Sequence, residues 1–332
     1  MSTPTHSVTG IGNAIVDILA LAEDSFIAAQ GMAKGSMSLI DADRALALST
    51  QVKKPTRRSG GSAANTIAGL ASLGAKAGYI GKVGKDELGG LFSSDLRAMG
   101  VAFATPACES GTPTARCVVL VSPDAQRTMA TYLGASVELE PSDVNAALIA
   151  DSAVTYLEGY LWDPPKAKAA FLLAAEIAHE AGRKVALSLS DSFCVGRHRD
   201  SFLDLVKNHV DILFANEAEI LGLYQVADVA SAMRLAKDEC QIVAVTRGAE
   251  GCSVAFQGEV MEVPCEPVAK VVDTTGAGDL FAAGFLHGLT TGRGGRDAAI
   301  LGGIAAAEVI SHVGARPEQS LAGLASARLG RP

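Results

Sequence analysis

The chain has 332 residues, of which 48% are hydrophobic and 19% charged, and this composition is typical of a folded α/β protein and excludes a disordered or fibrous one. Its formal net charge of −8 argues against a general nucleic-acid surface and against an anionic membrane partner. Six cysteines without a CxxC pair, and the lack of any apolar run of about 18 to 20 residues, predict a reduced, cytoplasmic protein with no membrane-spanning helix.

The N-terminal part of the chain predicts strands of alternating polar and apolar residues. Residues 7–20 indicate one strand that runs into a polar break, and residues 31–41 and 115–134 indicate further strands, the last folded at a Pro-Asp turn. Because such strands need a surface to cover, we expect a small β-sheet lid inserted from about residues 14–58 and 103–133. No linker interrupts the middle of the chain, so residues 1–332 should form one domain.

Two glycine-rich segments come close to nucleotide-binding fingerprints but do not match them. "GIGNAI" at 10–15 lacks the third glycine of the dinucleotide-binding loop, which makes a dehydrogenase a poor interpretation. "GLASLGAK" at 69–76 has P-loop glycine spacing without the Lys-Ser/Thr pair that holds phosphate and magnesium. Neither segment therefore assigns a function.

The segment "SGGSAANTIAGLASLG" at 59–74 predicts an apolar helix entered through glycines. Its Asn65 carries an amide that can both donate a hydrogen bond to a sugar hydroxyl and accept one from it. The alternative is that Ser62 or Asn65 only caps the helix.

After residue 130 short apolar runs alternate with amphipathic segments, which predicts strand–helix units around a mostly parallel sheet. The predicted strands are 153–159, 184–190, 210–216 and 242–248, and the predicted helices are 165–182, 200–208, 217–224 and 228–239. In open α/β sheets ligands bind at the carboxyl edge of the strands, so we expect the functional residues there.

The segment "VVDTTGAGDLFAAGFL" at 271–286 predicts a strand end, a tight turn and a buried helix. Free amides of Gly276, Ala277 and Gly278, together with the helix dipole, would form an anion site that a Cβ atom would obstruct. A carboxylate beside such a site is unfavourable unless it acts on the ligand, so Asp279 is a candidate general base. The alternative is an ordinary acidic residue in the first helical turn.

Together with the glycine-led segment at 59–74, this segment resembles the two signature regions of the ribokinase (PfkB) family of carbohydrate and nucleoside kinases. Three further segments agree in order and spacing: "NEAE" at 216–219, "TRGAEG" at 246–251 and "HVGARP" at 312–317. The resemblance implies a three-layer α/β/α fold of the ribokinase-like type, with a central mostly parallel sheet and a small β-sheet lid. It also implies ATP and Mg²⁺ as cofactors.

The resemblance implies roles for individual residues. Asn216 and Glu219 would organise the magnesium–water–phosphate network, Glu219 reaching the metal through water, while Thr246, Gly248, Gly251 and Gly314 would border the nucleotide. Gly276, Ala277 and Gly278 would hold the transferred phosphate, Asp279 would be the base, and Arg127 would be the lid arginine that reaches this phosphate. Asp273 and Thr275 lie in the loop where some relatives bind potassium, a dependence that the sequence leaves open.

Within the family, the segments "GNAIVDILA", "GGSAANT" and "LSLSDSF" are most similar to those of adenosine kinases. This implies transfer of phosphate from ATP to the 5′-hydroxyl of adenosine, with Asn13, Asp17, Gly61 and Asn65 at the ribose. Tyr160 and Trp162 would stack on the purine, or else belong to the core. A sugar kinase, another nucleoside kinase and a non-catalytic nucleoside-binding protein remain alternatives, and the sequence does not distinguish a monomer from a homodimer.

Overall fold

The computed structural model describes residues 3–124 and 126–330. The predicted domain of residues 1–332 also includes residues 1, 2, 125, 331 and 332, which lie outside this description. In the described part the strands are β1 His6–Ile11, β2 Ile15–Leu21, β3 Met37–Leu39, β4 Thr56–Gly60, β5 Ala77–Ile80, β6 Ala102–Phe103, β7 Ala115–Val121, β8 Arg127–Tyr132, β9 Ser152–Glu158, β10 Lys184–Ser188, β11 Ile212–Asn216, β12 Ile242–Thr246, β13 Cys252–Phe256 and β14 Glu259–Val263.

The α-helices follow the same chain order. They are α1 Asp24–Ala29, α2 Ala42–Gln51, α3 Ser62–Ser72, α4 Glu87–Ala98, α5 Ala146–Ala150, α6 Pro165–Glu180, α7 Ser192–His209, α8 Glu217–Tyr224, α9 Val229–Glu239, α10 Ala277–Thr290, α11 Gly295–Val309 and α12 Leu321–Leu329. No helix within residues 3–124 and 126–330 is both long and apolar enough to cross a bilayer.

A nine-stranded sheet forms the middle layer, in the order β14-β13-β12-β11-β10-β9-β1-β5-β6. Its strands pair in parallel except at β12–β13 and β13–β14, which are antiparallel. One face packs against α3, α4, α10, α11 and α12, and the other against α5 to α9. Parallel strands covered on both faces are continuous apolar runs, as in β11 and β12. The predicted three-layer α/β fold is therefore confirmed.

The four strands predicted after residue 130 are confirmed as β9 to β12, and three of the four helices as α6, α8 and α9. The fourth helix prediction, 200–208, is too short, because α7 starts at Ser192, where the side chain of Asp191 accepts a hydrogen bond from the Cys194 amide. A non-helical residue at His198 kinks this helix and obscures its periodicity in the sequence.

The prediction of a single strand at 7–20 is wrong. Strand β1 ends at Ile11, and β2, which starts at Ile15, belongs to the other sheet. A Cβ atom at Gly12 would lie 2.4 Å from Oε2 of Glu158, so this glycine lets the chain leave the large sheet beside a buried carboxylate. Within 31–41 only Met37–Leu39 is a strand.

A five-stranded second sheet, in the order β3-β8-β7-β2-β4, lies beside the carboxyl edge of the large sheet. One face packs against α1 and α2 through Ile18, Ile27, Leu48, Val118 and Leu120. The other face carries an apolar group that includes Ile15, Leu19, Cys117, Val119 and Met129. This second face borders the cavity described below.

Helices α10 and α11 cross in close contact through glycines. A Cβ atom at Gly284 would lie 2.3 Å from the carbonyl oxygen of Leu301, so the two backbones touch there. The contact fixes the direction of α10, whose first turn enters the cavity.

We predict that Gly284→Ala destabilises the fold by about 1–3 kcal/mol, because the added methyl group must push α11 away. The matched control is Gly90→Ala in α4, where an added Cβ meets no atom within 4 Å and should stabilise by about 0.5–1 kcal/mol. Urea unfolding measures both, and an unchanged midpoint for Gly284→Ala would contradict the close crossing.

Candidate active site

A cavity of about 810 Å³ lies between the carboxyl edge of the large sheet and the apolar face of the second sheet. Most of the residues predicted to be functional line it, although they come from distant parts of the chain. They are Asn13, Asp17, Gly61, Asn65, Arg127, Tyr160, Asn216, Glu219, Thr246, Thr275, Gly276, Ala277, Gly278, Asp279 and Gly314. Trp162, Gly248, Gly251 and Asp273 are not part of this lining.

The first turn of α10 forms a concave backbone surface in the cavity. Gly276 is the N-cap residue with φ +80°, and a Cβ atom there would lie 2.7 Å from the Cβ of Ala315. A Cβ atom at Gly278 would meet no atom within 4 Å, so this side of the turn is open. The Ala277 amide donates to the Thr274 carbonyl (3.2 Å), whereas the amides of Gly276 and Gly278 have no acceptor in the described chain. An anion would therefore meet free amides at the positive end of a helix dipole.

Asp279 is held at this turn by two side chains of α3. Ser62 Oγ donates to its Oδ1 (2.6 Å), and Asn65 Nδ2 donates to its Oδ2 (2.9 Å). Burial raises the pKa of Asp279, while these two hydrogen bonds and the charge of Arg316 oppose that rise. The carboxylate is thus fixed in orientation and made more basic than an exposed aspartate.

Asp17 presents a second carboxylate to the same cavity. Burial raises its pKa to about 6 against the opposing charges of Arg316 and Arg127. The chain passes directly behind it, since a Cβ atom at Gly60 would lie 2.3 Å from Asp17 Oδ2. The next residue, Gly61, has φ +93° and would place a Cβ 2.3 Å from the carbonyl oxygen of Asn13. Glycine is required at both positions.

Asn13 is bound mainly by protein groups. Its Nδ2 donates to Glu158 Oε1 (2.6 Å), and its Oδ1 accepts from Ser136 Oγ (2.8 Å). Glu158, which the sequence analysis missed, also accepts from the Ala63 amide (2.7 Å) at the start of α3. Asn13 and Glu158 therefore join the end of β1 to the helix that positions Asp279. Asn13 also lines the cavity, and its role at the ribose stays a prediction.

Arg127 and Asp273 form a nearly buried ion pair between the second sheet and the loop before α10. Asp273 Oδ1 also accepts from the Thr275 amide (3.0 Å), and Oδ2 from the Gly314 amide (2.9 Å). The carboxylate in the predicted potassium loop is therefore already compensated by an arginine.

Asn216 and Glu219 form a reciprocal capping box at the start of α8. Asn216 Oδ1 accepts from the Glu219 amide (2.9 Å), and Glu219 accepts from the Asn216 backbone amide (2.8 Å) and Nδ2 (2.7 Å). Burial raises the pKa of Glu219 to about 7. The two residues therefore cap the start of α8, and both also line the cavity.

The turn after β12 places its two glycines outside the cavity lining. Gly251 has φ +89°, and a Cβ atom there would lie 2.1 Å from the carbonyl oxygen of Val263. Gly251 is thus needed to join β12 to β13, whereas Gly248, with φ +55°, has open space around its Cβ position. Thr246 lines the cavity at the end of β12.

The two aromatic residues predicted to stack on a base have different environments. Tyr160 is 36% exposed and lines the cavity. Trp162 is 4% exposed, packs on Phe171 and Phe202, and donates from Nε1 to Ser201 Oγ (2.8 Å). The prediction for Trp162 is corrected, because the core covers its ring.

Sequence reasoning missed three polar residues that organise the site: Ser62 as a partner of Asp279, Glu158, and Arg316. Glu158 follows a buried strand and Arg316 lies in "HVGARP", but a lone charged residue gives no signal of what it contacts. It also missed the apolar wall, whose side chains come from three strands of the second sheet.

Comparisons with known proteins agree on the family. The profile of the pfkB family carbohydrate kinase matches residues 31–321. A probable sugar kinase from Rhizobium etli CFN 42 is 47% identical with a TM-score of 0.91, over 98% of this chain and 99% of its own. An adenosine kinase from Sinorhizobium meliloti is 50% identical with a TM-score of 0.90, over 97% of this chain and 99% of its own. Fructokinase-1 of Oryza sativa subsp. japonica is 30% identical over 69% of this chain and 72% of its own length. The names of these three relatives differ in the acceptor that they state, which is a sugar, adenosine or fructose.

The buried state of Glu158 predicts a pH-dependent stability. Burial raises its pKa from 4.5 to about 7, so the stability contributed by the protonated carboxyl is present below pH 4.5 and is lost as pH rises through about 7. Relative to Glu158→Gln, the wild type should lose on the order of 2 kcal/mol of unfolding free energy between about pH 5 and about pH 8.

Urea unfolding across this pH range measures the difference in unfolding free energy between the two proteins. Glu219 is present in both, so its contribution to the pH dependence cancels in this difference. The exposed Glu176→Gln on α6 is the control. A difference between wild type and Glu158→Gln that does not change with pH would contradict the raised pKa.

Proposed function

The chain belongs to the pfkB family of carbohydrate kinases, and we propose that it transfers the γ-phosphate of ATP to the 5′-hydroxyl of a ribonucleoside, with adenosine as the preferred acceptor. Family membership makes the protein an ATP-dependent phosphotransferase with an alcohol acceptor. The observation that carries the proposal is one cavity that joins the open α10 turn, two oriented carboxylates and an apolar wall.

Asp17 and Asn65 supply the polar end of the acceptor site. No described residue donates a hydrogen bond to the Asp17 carboxylate, and Asn65 Oδ1 is buried without a partner while its Nδ2 is bound to Asp279. An unpaired buried acceptor is costly, so a ligand that donates hydroxyl groups to these oxygens would be favoured. The hydroxyls of a ribose suit both groups.

The apolar wall favours a nucleoside over a free sugar. Ile15, Leu19, Val119 and Met129 face the cavity from the second sheet, and Tyr160 faces it from the end of β9. A free sugar carries hydroxyl groups around its ring and would leave this surface wet, whereas a purine would cover it and could stack on Tyr160.

In this proposal the terminal phosphate of ATP lies at the α10 turn. The free amides of Gly276 and Gly278 would stabilise the oxygens of the transferred group as preorganised donors. Arg127 would exchange Asp273 for this phosphate and neutralise its charge. Thr246, Thr275 and Gly314 line the cavity beside the turn and would border the nucleotide.

The residues of the cavity fit a magnesium ion that the protein contacts only through the water molecules of the ion. Both oxygens of Glu219 accept hydrogen bonds from Asn216, so Glu219 would contact the ion through its water. No cluster of three or more His, Cys, Asp or Glu side chains in the described chain could hold a metal by itself. Bound with ATP, magnesium would neutralise charge on the phosphates.

Asp279 would accept the proton of the attacking 5′-hydroxyl. Its two hydrogen bonds aim the carboxylate at the turn, and burial raises its pKa, which strengthens it as a base. Activity should therefore be lost as pH falls through the pKa values of Asp279 and Asp17.

All six cysteines are free, which supports the proposed cytoplasmic location.

A sugar kinase is the second candidate, because the Rhizobium and rice relatives are named a probable sugar kinase and a fructokinase. The same catalytic turn would serve both reactions. The two candidates differ in whether the apolar wall contributes to the binding of the acceptor.

Asp279→Asn tests the catalytic base. We expect kcat to fall by at least about 10²-fold with the KM values for ATP and acceptor little changed, because the proton acceptor is lost and the shape is kept. Steady-state kinetics measure this, with a thermal melt to confirm folding. The matched control is Asp297→Asn in the first turn of α11, and wild-type turnover in Asp279→Asn would rule out the assignment.

An acceptor panel tests the substrate. ADP release is measured with adenosine, inosine, guanosine, cytidine, ribose and fructose, and we expect kcat/KM for adenosine to exceed that for either sugar by at least about 10²-fold, since burying a base contributes about 3 kcal/mol. Tyr160→Ala should raise KM for adenosine and leave KM for ribose unchanged. Trp162→Phe should leave both KM values unchanged. A preference for a free sugar would establish the second candidate instead.

A further inference from the structure

Arg316 lies in the segment 312–317, which is predicted to border the nucleotide, and its side chain reaches the turn between β4 and α3. Its Nε and Nη2 donate to the Ser59 carbonyl oxygen (3.2 and 2.9 Å), and Nη1 donates to the Ala64 carbonyl oxygen (2.7 Å). A further bond joins Nη2 to Ser59 Oγ (3.2 Å). One side chain therefore grips both ends of the segment that contains Gly60, Gly61 and Ser62.

This segment is also held from its other side. The Ser59 amide donates to Asp95 Oδ2 (3.0 Å), so Ser59 is bound by an acid at its N–H and by Arg316 at its carbonyl. The two charges fix the chain where Gly60 lies against the Asp17 carboxylate. The start of α3 then presents Ser62 and Asn65 to Asp279.

Arg316 forms no contact ion pair within the described chain. Its partners are uncharged oxygens, and no carboxylate oxygen of the described chain lies within 4.0 Å of its guanidinium nitrogens. Burial lowers the pKa of Arg316 to about 10, which still leaves it charged at neutral pH. A buried cation without a contact anion acts on carboxylates farther away.

Four titratable groups face Arg316 from the elements packed around it: Asp17 on β2, Tyr79 on β5, Asp95 on α4 and Asp279 on α10. Arg127 on β8 is the other cation that acts on Asp17, and Asp279 acts on Asp17 with the opposite sign. The phenol of Tyr79 is neutral at ordinary pH, because burial raises its pKa well above 10. Asp17 and Asp279 are thus the two cavity carboxylates on which the charge of Arg316 acts.

We propose that Arg316 is a positioning residue of the phosphoryl transfer, anchoring the Ser59–Ala64 segment and stabilising the ionised forms of Asp17 and Asp279. The inference rests on the proposed function, in which both carboxylates act while ionised. Arg316 does not touch the acceptor in this account. It sets the place and the charge of groups that do.

Two substitutions separate the anchor from the charge. Arg316→Met removes both, and Arg316→Lys keeps the charge but cannot bridge two carbonyls with a planar fork. Arg296→Met on the exposed start of α11 is the matched control for loss of a positive charge. Each variant is compared with the wild type using the best acceptor of the panel.

For Arg316→Met we expect kcat/KM of the acceptor to fall by at least about 10²-fold, with KM for ATP changed only a few-fold. The acid limb of its pH profile should move up by about one pH unit, because both carboxyls lose a stabilising cation. Arg316→Lys should keep the wild-type acid limb at a reduced rate, and Arg296→Met should match the wild type throughout.

Amide hydrogen exchange gives a reading that does not depend on activity. Residues 59–66 should exchange faster in Arg316→Met than in the wild type, and this part of the test remains valid if the wild type prefers a sugar or transfers no phosphate, results that would count against the proposed function alone. An unchanged acid limb or unchanged exchange in folded Arg316→Met would overturn the inference.

Discussion

The candidate site depends on the two hydrogen bonds that Ser62 and Asn65 donate to Asp279. They connect the first turns of α3 and α10, two helices far apart in the chain that pack side by side on one face of the large sheet. Because each helix enters the cavity with its positive end, free amides, a hydroxyl, an amide side chain and a carboxylate come together in a small volume. That combination can hold an anion and accept a proton at neighbouring points.

Close approaches of backbone and charge make this arrangement possible, and glycine makes the approaches possible. Gly12 admits Glu158, Gly60 admits Asp17, and Gly276 admits Ala315, each at a distance that a Cβ atom would forbid. Each buried carboxylate then has its own hydrogen-bond donors. Amide groups of Asn13 and Ala63 donate to Glu158, and side chains of α3 donate to Asp279. The site thereby keeps several acids in one cavity, with Arg127 and Arg316 as the opposing charges.

Local sequence patterns were sufficient for much of the fold and for the centre of the site. The β9 to β12 units follow from apolar runs with polar ends, and the glycine-led starts of α3 and α10 identified the two helix ends that meet in the cavity. The lid was predicted to start near residue 14, yet the strand at 7–20 was predicted as continuous, because nothing local shows that Gly12 packs on Glu158. Trp162 and Arg316 show the same limit, since whether a ring is covered or a guanidinium reaches a distant carbonyl is decided by tertiary packing.

A crystal structure with adenosine, ADP and a trigonal phosphate analogue would test the central claim most directly. The account predicts the analogue within hydrogen-bonding distance of the Gly276 and Gly278 amides, and the 5′-hydroxyl of the acceptor on the Asp279 carboxylate. An analogue bound elsewhere in the cavity, with Asp279 still contacting only Ser62 and Asn65, would contradict it.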